Sequence, residues 1–309
     1  MVDRKHKIFC LMGPTASGKT RLALRLVEYF PFEIISVDSA MIYRGMDIGT
    51  AKPTSQELEL VPHHLINICD PKDLYSAGQF REDALVKIEE IHVRGKVPLL
   101  VGGTMLYFSV LQQGISDLPK SDEKVRVKIK AMLDEEGLGA LYLRLQRVDL
   151  KSAKLIQKSD SQRIQRALEV YEITGKSLSE LKDISPPKKL PYEVINFVVF
   201  HREIAKLRAK IKTRFQNMIG AGFIDEVQKL YQRQDLHPNL PSMRTVGYRQ
   251  IWQYLVGEIS YDEMFKLVPI VTGQLAKRQL TWLRRWQGSK WFDSDDPNLI
   301  SNVINLIKI

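Results

Sequence analysis

A run of eight residues, Gly13-Pro14-Thr15-Ala16-Ser17-Gly18-Lys19-Thr20, constrains the fold of this 309-residue chain more than any other feature. It fills every fixed position of the G-x-x-x-x-G-K-[ST] phosphate-binding loop. An apolar stretch over residues 8–12 precedes it, and Leu22, Leu26 and Tyr29 follow at helical spacing, so the local order is strand, glycine-rich turn, helix. In that setting the glycines let backbone N–H groups converge on phosphate oxygens, and the helix N-terminus adds positive potential. Lys19 supplies a full charge, and Thr20 carries the hydroxyl that ordinarily helps to hold a magnesium ion bridging phosphates. The loop alone does not distinguish an ATPase, a kinase or a transferase.

Around this loop the chain reads as an α/β protein with a P-loop-type parallel sheet. Short apolar runs over residues 8–12, 34–37, 97–101 and 194–200 alternate with helical patterns, as parallel sheets require. Strand signals vanish over residues 117–187. There Val125, Ile129, Met132 and Leu133 form one helical stripe and Ile164, Leu168 and Tyr171 another, ending at Thr174-Gly175 and Pro186-Pro187. The expected organisation is a catalytic core over residues 1–116 and 191–309, with an all-helical insertion over 117–190. After the last strand, Ile204, Leu207, Ile211, Phe215 and Met218 predict an amphipathic helix that Gly220 and Gly222 interrupt, and residues 293–296 predict a solvated turn.

A formal charge of +10 points to an anionic partner, nucleic acid first. The two cysteines, Cys10 and Cys69, have neither metal-site nor disulfide spacing and imply a reducing compartment. About five apolar residues precede the glycine-rich loop, too few for a signal segment, and no long apolar run follows. The expectation is a cytoplasmic protein with no membrane span, and a monomer by default.

Asp38 ends the second apolar run, at the carboxyl edge of a strand, where α/β sheets bind ligands. A carboxylate there serves as general base or metal ligand, or caps the next turn. Residues 41–53 are too glycine-punctuated for a long helix and too apolar for a free loop, so they are expected to line something. Thr104 follows Gly102-Gly103 at the same edge, facing the ligand or capping its own helix; no acid stands there as a second magnesium ligand. His63 and His64 lack further clustered ligands and are assigned hydrogen-bonding roles.

Three basic segments could meet RNA: Arg163 with Arg166, Arg244 with Arg249, and residues 277–285. From Pro269 to Lys290 there is no acid, and on a helix Lys277, Thr281 and Arg284 face away from Leu275, Trp282, Leu283 and Trp286. The two tryptophans read as core residues rather than stacking platforms.

Residues 13–20, 38–53, 62–71, 75–81, 102–108, 162–171, 244–250 and 277–285 together resemble the tRNA dimethylallyltransferase (tRNA isopentenyltransferase) family. The resemblance is specific because Asp-Ser-x-x-x-Tyr-Arg-Gly-Met-Asp-Ile-Gly-Thr-Ala-Lys-Pro and Arg-x-Val-Gly-Tyr-Arg-Gln accompany the phosphate loop. It implies that residues 13–20 and Arg244 bind the diphosphate of dimethylallyl diphosphate, whose prenyl group goes to N6 of the adenine 3′ of the anticodon. It further implies Asp38 as general base, Lys19, Thr20, Mg²⁺ and Arg244 as stabilisers of the departing pyrophosphate, and Thr20 with Asp38 as metal ligands. Contacts to tRNA are implied for Asp38, Ser39, Ala40, Met41, Thr104, Gln162, Arg163, Ile164, Gln165, Arg166, Arg244, Gly247, Tyr248, Arg249, Lys277, Arg278, Thr281 and Arg284. The adenine would be flipped out of its stack, with the helical insertion gripping the anticodon stem. A small-molecule P-loop kinase is the alternative, with Asp38 deprotonating a hydroxyl; a non-catalytic RNA-binding module would leave the Lys19-Thr20 pair unexplained.

Overall fold

The apolar run ahead of the glycine-rich loop forms β1 (Lys7–Met12), buried beyond its first residue, in a computed structural model that describes residues 7–307. Then come α1 (Lys19–Tyr29), β2 (Phe32–Val37), α2 (Ser55–Leu60), β3 (His63–His64), α3 (Ala77–Val93), β4 (Val97–Gly102) and α4 (Met105–Gln113). Four helices follow: α5 (Glu123–Val148), α6 (Leu150–Leu155), α7 (Ser161–Thr174) and α8 (Leu178–Ile184). The chain returns through β5 (Glu193–Phe200), α9 (Ile204–Gly220), α10 (Phe223–Tyr231), α11 (Tyr248–Leu255), α12 (Tyr261–Leu283), β6 (Lys290–Asp293) and α13 (Leu299–Ile304).

The six strands make one parallel sheet in the order β3-β2-β4-β1-β5-β6. The four strands read from apolar runs form its interior, because continuous Val/Ile/Leu/Phe patterning buries both faces. The two edge strands escaped that reading. A two-residue β3 carries no periodicity, and β6, Lys-Trp-Phe-Asp, shows no continuous apolar run. One face packs Leu22, Ala23 and Leu26 of α1 and Val303 of α13 against Phe9, Leu11, Ile34 and Leu99. A second cluster joins Ile42, Tyr43 and Met46 to Phe215, Phe223, Tyr248, Trp252 and Val268. Ser76 and Gln79 start α3, and Ser260 and Glu263 start α12, each by a reciprocal capping box.

The chain divides into two compact units, one running to Gln112 and resuming at Pro191, the other Gln113–Leu190. The second therefore begins four residues before the boundary read from the sequence. Its entering and leaving strands of chain touch, since a Cβ on Gly114 would lie 2.3 Å from the Lys188 carbonyl oxygen. This unit is all helical, with Ile129, Leu141, Leu145, Ile164, Leu168 and Val170 as its core. Gly137 (φ 80°, ψ 168°) breaks α5, and Gly175 (φ 69°) closes α7. Buried Glu169 is neutralised by Arg126 and Arg166.

In the first unit α9 buries Leu207, Ile211 and Phe215 as its spacing predicts, but Ile204 is exposed in the first turn, before the helix reaches its packing partners. Trp282, read as core, is 41% exposed, whereas neighbouring Leu283 is fully buried. Among the described residues no helix is long and apolar enough to cross a membrane.

Candidate active site

The glycine-rich loop leaves β1 in a turn that demands special backbone angles. Gly18 (φ 81°) and Ala16 (φ 61°) both lie in the left-handed region. At Gly13 a Cβ would lie 2.2 Å from the Val199 carbonyl oxygen of β5, so only glycine lets the loop start this close to the neighbouring strand. Lys19, first residue of α1, folds back across the loop and donates Nζ–H to the Pro14 carbonyl at 2.6 Å. Burial pulls its pKa down to about 7, against the opposing pull of Asp38.

Asp38 follows β2 directly. Its Oδ1 accepts the N–H of Ala40 at 2.9 Å and of Met41 at 3.4 Å, which pins the turn and leaves Oδ2 without a hydrogen-bond partner among the described residues. The capping and catalytic readings of this residue are therefore compatible, one oxygen for each. Across from it, Gly102 ends β4, where a Cβ would lie 2.0 Å from the Val37 carbonyl oxygen. The Thr104 hydroxyl accepts the Ser39 N–H at 3.0 Å and donates to Ser39 Oγ at 3.3 Å. That bond ties the two ligand-edge turns together, which is a different task from capping α4.

A cleft opens between these turns and α9, α10 and α12. Thr15, Lys19, Thr20, Asp38 and Arg214 form one part of its wall, and Phe215, Met218, Phe223, Val246, Val268 and Leu275 another. The wall also includes Met41, Gly49, Thr50, Ala51 and Pro53, so residues 41–53 do line something. Their path is held by Glu226 of α10, whose carboxylate accepts the N–H groups of Asp47 (2.9 Å), Ile48 (2.7 Å) and Gly49 (3.1 Å) and the Tyr248 hydroxyl. His63 lines the cleft too, its Nδ1 bonded to the Val61 carbonyl at 2.7 Å, while His64 meets the Glu33 carboxylate at 2.9 Å.

Several residues that the sequence reading missed belong to this site. Arg214 on α9 lines the cleft; burial pulls its pKa down and Asp38 opposes that. Gln279 on α12 accepts the Thr15 N–H at 2.9 Å and donates to the Gly103 carbonyl at 2.8 Å, bridging the phosphate loop and the β4 turn. Its position inside the basic 277–285 run was the only available signal, and the run drew attention to charge instead.

Other assignments need correction. Tyr248 and Ile164, read as tRNA contacts, are both fully buried: apolar packing claims them, Tyr248 beside Phe223 and Ile164 in the helical unit. Arg244 is exposed and absent from the cleft wall, which its neighbours Thr245, Val246 and Gly247 enter instead; the half-buried cation whose charge Asp38 favours is Arg214. Arg166 is engaged by Glu169 and the Pro119 carbonyl. Gln162, Arg163, Arg249, Lys277, Arg278, Thr281 and Arg284 are exposed, and Gln165 is half-buried with its amide on Ser161. The 293–296 turn is not simply solvated, because Asp295 is paired with His201 and Lys210.

Comparison with known proteins agrees with this geometry. The family model described as IPP transferase matches residues 41–286, beginning after the phosphate loop and Asp38. A tRNA dimethylallyltransferase from Coxiella burnetii (strain Dugway 5J108-111) is 55% identical over 307 residues, covering 99% of both chains. The full-length tRNA isopentenylpyrophosphate transferase of Bacillus halodurans superposes with a TM-score of 0.71 at 36% identity, over 97% of this chain and 95% of that one. A eukaryotic dimethylallyltransferase acting on tRNA gives a TM-score of 0.83 at 26% identity, over 97% of this chain and 78% of that one. The sheet, the cleft and these likenesses together show that the chain belongs to the tRNA dimethylallyltransferase family, as a prenyltransferase of tRNA rather than a small-molecule kinase.

Proposed function

We propose that the cleft binds dimethylallyl diphosphate with its diphosphate on the glycine-rich loop and its five-carbon group against Phe215, Met218 and Phe223, and transfers that group to N6 of the adenine 3′ of a tRNA anticodon. The observation that carries this reading is the composition of a single wall. Phosphate-binding groups pass directly into an apolar surface, which suits a short hydrocarbon on a diphosphate and has no role in a kinase of small polar substrates.

The exocyclic amine of adenine is a poor nucleophile, its lone pair delocalised into the ring. As the N6–C1 bond forms and the C1–O bond to diphosphate breaks, Asp38 Oδ2 takes the N6 proton, which keeps charge from building on the base. The pair of electrons released to the pyrophosphate oxygen is stabilised by Lys19, Arg214 and the loop N–H groups. Thr20 lines the cleft and would offer Mg²⁺ a hard hydroxyl oxygen, Asp38 Oδ2 being reserved for the proton. Bound there, Mg²⁺ would neutralise charge on the departing pyrophosphate.

The base must leave its stack to reach the cleft, and Ala40 and Met41, which line it, with exposed Ser39 beside them, would receive it. Gln162 and Arg163 of the helical unit and Lys277, Arg278, Thr281 and Arg284 of α12 present exposed polar and cationic groups for the tRNA backbone. Both cysteines are free and buried, consistent with the reducing cytoplasm as the place of action.

The test incubates the protein and Mg²⁺ with radiolabelled dimethylallyl diphosphate and unmodified tRNA carrying that adenine. Label at the adenine with release of pyrophosphate and no need for ATP is the expected result. No incorporation, alongside ATP-dependent phosphorylation of a small molecule, would overturn it.

A further inference from the structure

Beneath the glycine-rich loop lies a charged cluster that takes no part in the chemistry above. His201 follows β5 and is buried, with no exposed side-chain surface. Its Nε2 lies 3.1 Å from the carbonyl oxygen of Ala16, the non-glycine residue that holds a left-handed conformation in the middle of the loop. Its Nδ1 lies 2.9 Å from Asp295 Oδ2, and Lys210 of α9 donates to the other oxygen of the same carboxylate at 2.8 Å. A carbonyl oxygen only accepts, so Nε2 carries a proton. Asp295 is held ionised, its pKa lowered to about 2 by Lys210 and His201.

We infer that His201, anchored by Asp295, is a positioning residue that fixes the Ala16 carbonyl and so holds the diphosphate loop in its binding conformation.

Two features make this more than an ordinary buried histidine. First, a left-handed alanine is an unfavourable backbone state that surrounding contacts must impose, and His201 donates the side-chain hydrogen bond to that residue's carbonyl. Second, the cluster is tied to the strand that precedes His201, since the Ser294 N–H donates to the Phe200 carbonyl and Lys210 of α9 holds Asp295. The charged groups facing the ring are Asp295, with Lys210 behind it, and Asp293, whose carboxylate lies within 4.8 Å of both the ring and the Asp295 carboxylate and pairs with Arg202. The loop is thereby held before any phosphate arrives, which spares the ligand the cost of ordering it.

The inference rests on the loop being the diphosphate site, and the experiment separates the two. Pyrophosphate binding is measured by calorimetry for the wild type, His201→Ala, His201→Gln and Asp295→Asn, with circular dichroism to check folding. Kinetics with dimethylallyl diphosphate and tRNA accompany it. Expected are a dissociation constant raised about tenfold in His201→Ala, a smaller rise in His201→Gln, which keeps an N–H near Ala16, and a matching rise in KM for dimethylallyl diphosphate with KM for tRNA unchanged. In ¹⁵N-histidine-labelled wild type, the His201 signals, identified by their loss in His201→Gln, should show the proton on Nε2. That reading needs no mutant to retain function. Variants that bind pyrophosphate as tightly as wild type, or an unprotonated Nε2, would overturn the inference while leaving the site intact. A wild type that does not bind pyrophosphate would overturn the diphosphate site and the inference together.

Discussion

Asp38 combines two jobs on one carboxylate, and they separate experimentally. Oδ1 is used by backbone N–H groups of its own turn, so removing the side chain loosens that turn, but the proton acceptor is lost altogether. Asp38→Ala is expected to lower transfer by about 10²-fold or more while tRNA binding persists, measured by single-turnover label transfer and filter binding. Equal turnover by mutant and wild type would remove Asp38 from the role of base. Lys19 sets the pH response. With its pKa pulled down to about 7 by burial, it loses its proton as pH rises through that value, and a bound diphosphate must restore it. The KM for dimethylallyl diphosphate should therefore climb above pH 7, by up to about tenfold per pH unit, while Lys19→Arg flattens the profile because a guanidinium stays charged. Asp38 was legible in the sequence because strand end and turn are local features. Arg214 was not, since its meaning depends on a helix nearly two hundred residues away from the loop it faces.

At the scale of elements, the segment from Asp47 to Gly49 shows how a non-regular stretch acquires a fixed path. Three successive N–H groups converge on Glu226, and the Tyr248 hydroxyl completes the set around the same carboxylate. Gly49 is required there, for a Cβ would lie 2.1 Å from the Phe223 ring. Glu226→Gln keeps the shape but turns an N–H toward those donors, and should cost about 1–3 kcal/mol of stability with a raised KM for dimethylallyl diphosphate, read by denaturant unfolding and steady-state kinetics. An unchanged unfolding midpoint would show that the segment holds itself. The sequence marked residues 41–53 as lining something because glycine punctuation and apolar content conflict with a free loop. It could not name Glu226, whose spacing in α10 reads as an ordinary solvated acid. The short edge strands were hidden for a related reason: their pairing comes from neighbouring strands rather than from a pattern of their own.

For the whole molecule, each compact unit has its own apolar core, and the helical unit's core draws only on its own residues. A fragment spanning residues 113–190 should accordingly melt as a cooperative helical domain by circular dichroism, and a non-cooperative, largely unfolded fragment would contradict this. The charge of +10 bears on the tRNA rather than on the fold. Affinity for tRNA should fall by at least about tenfold between 50 and 200 mM salt, the mark of counterion release, and a flat salt response in filter binding would argue against a broad phosphate interface. By itself the sequence determined the phosphate loop, the four inner strands, the helical insertion and the position of Asp38, because each depends on neighbours within a few residues: glycine-permitted backbone angles, apolar periodicity, a strand's end. Only the tertiary structure decided that Arg214 rather than Arg244 faces Asp38, that Gln279 bridges two turns, that Tyr248 belongs to the core, and that His201 supports Ala16. Those assignments depend on which distant helices pack across the ends of the strands. Burial and partner geometry, which decide whether a polar side chain serves the cleft or the core, are properties of that packing and leave no local periodicity to read.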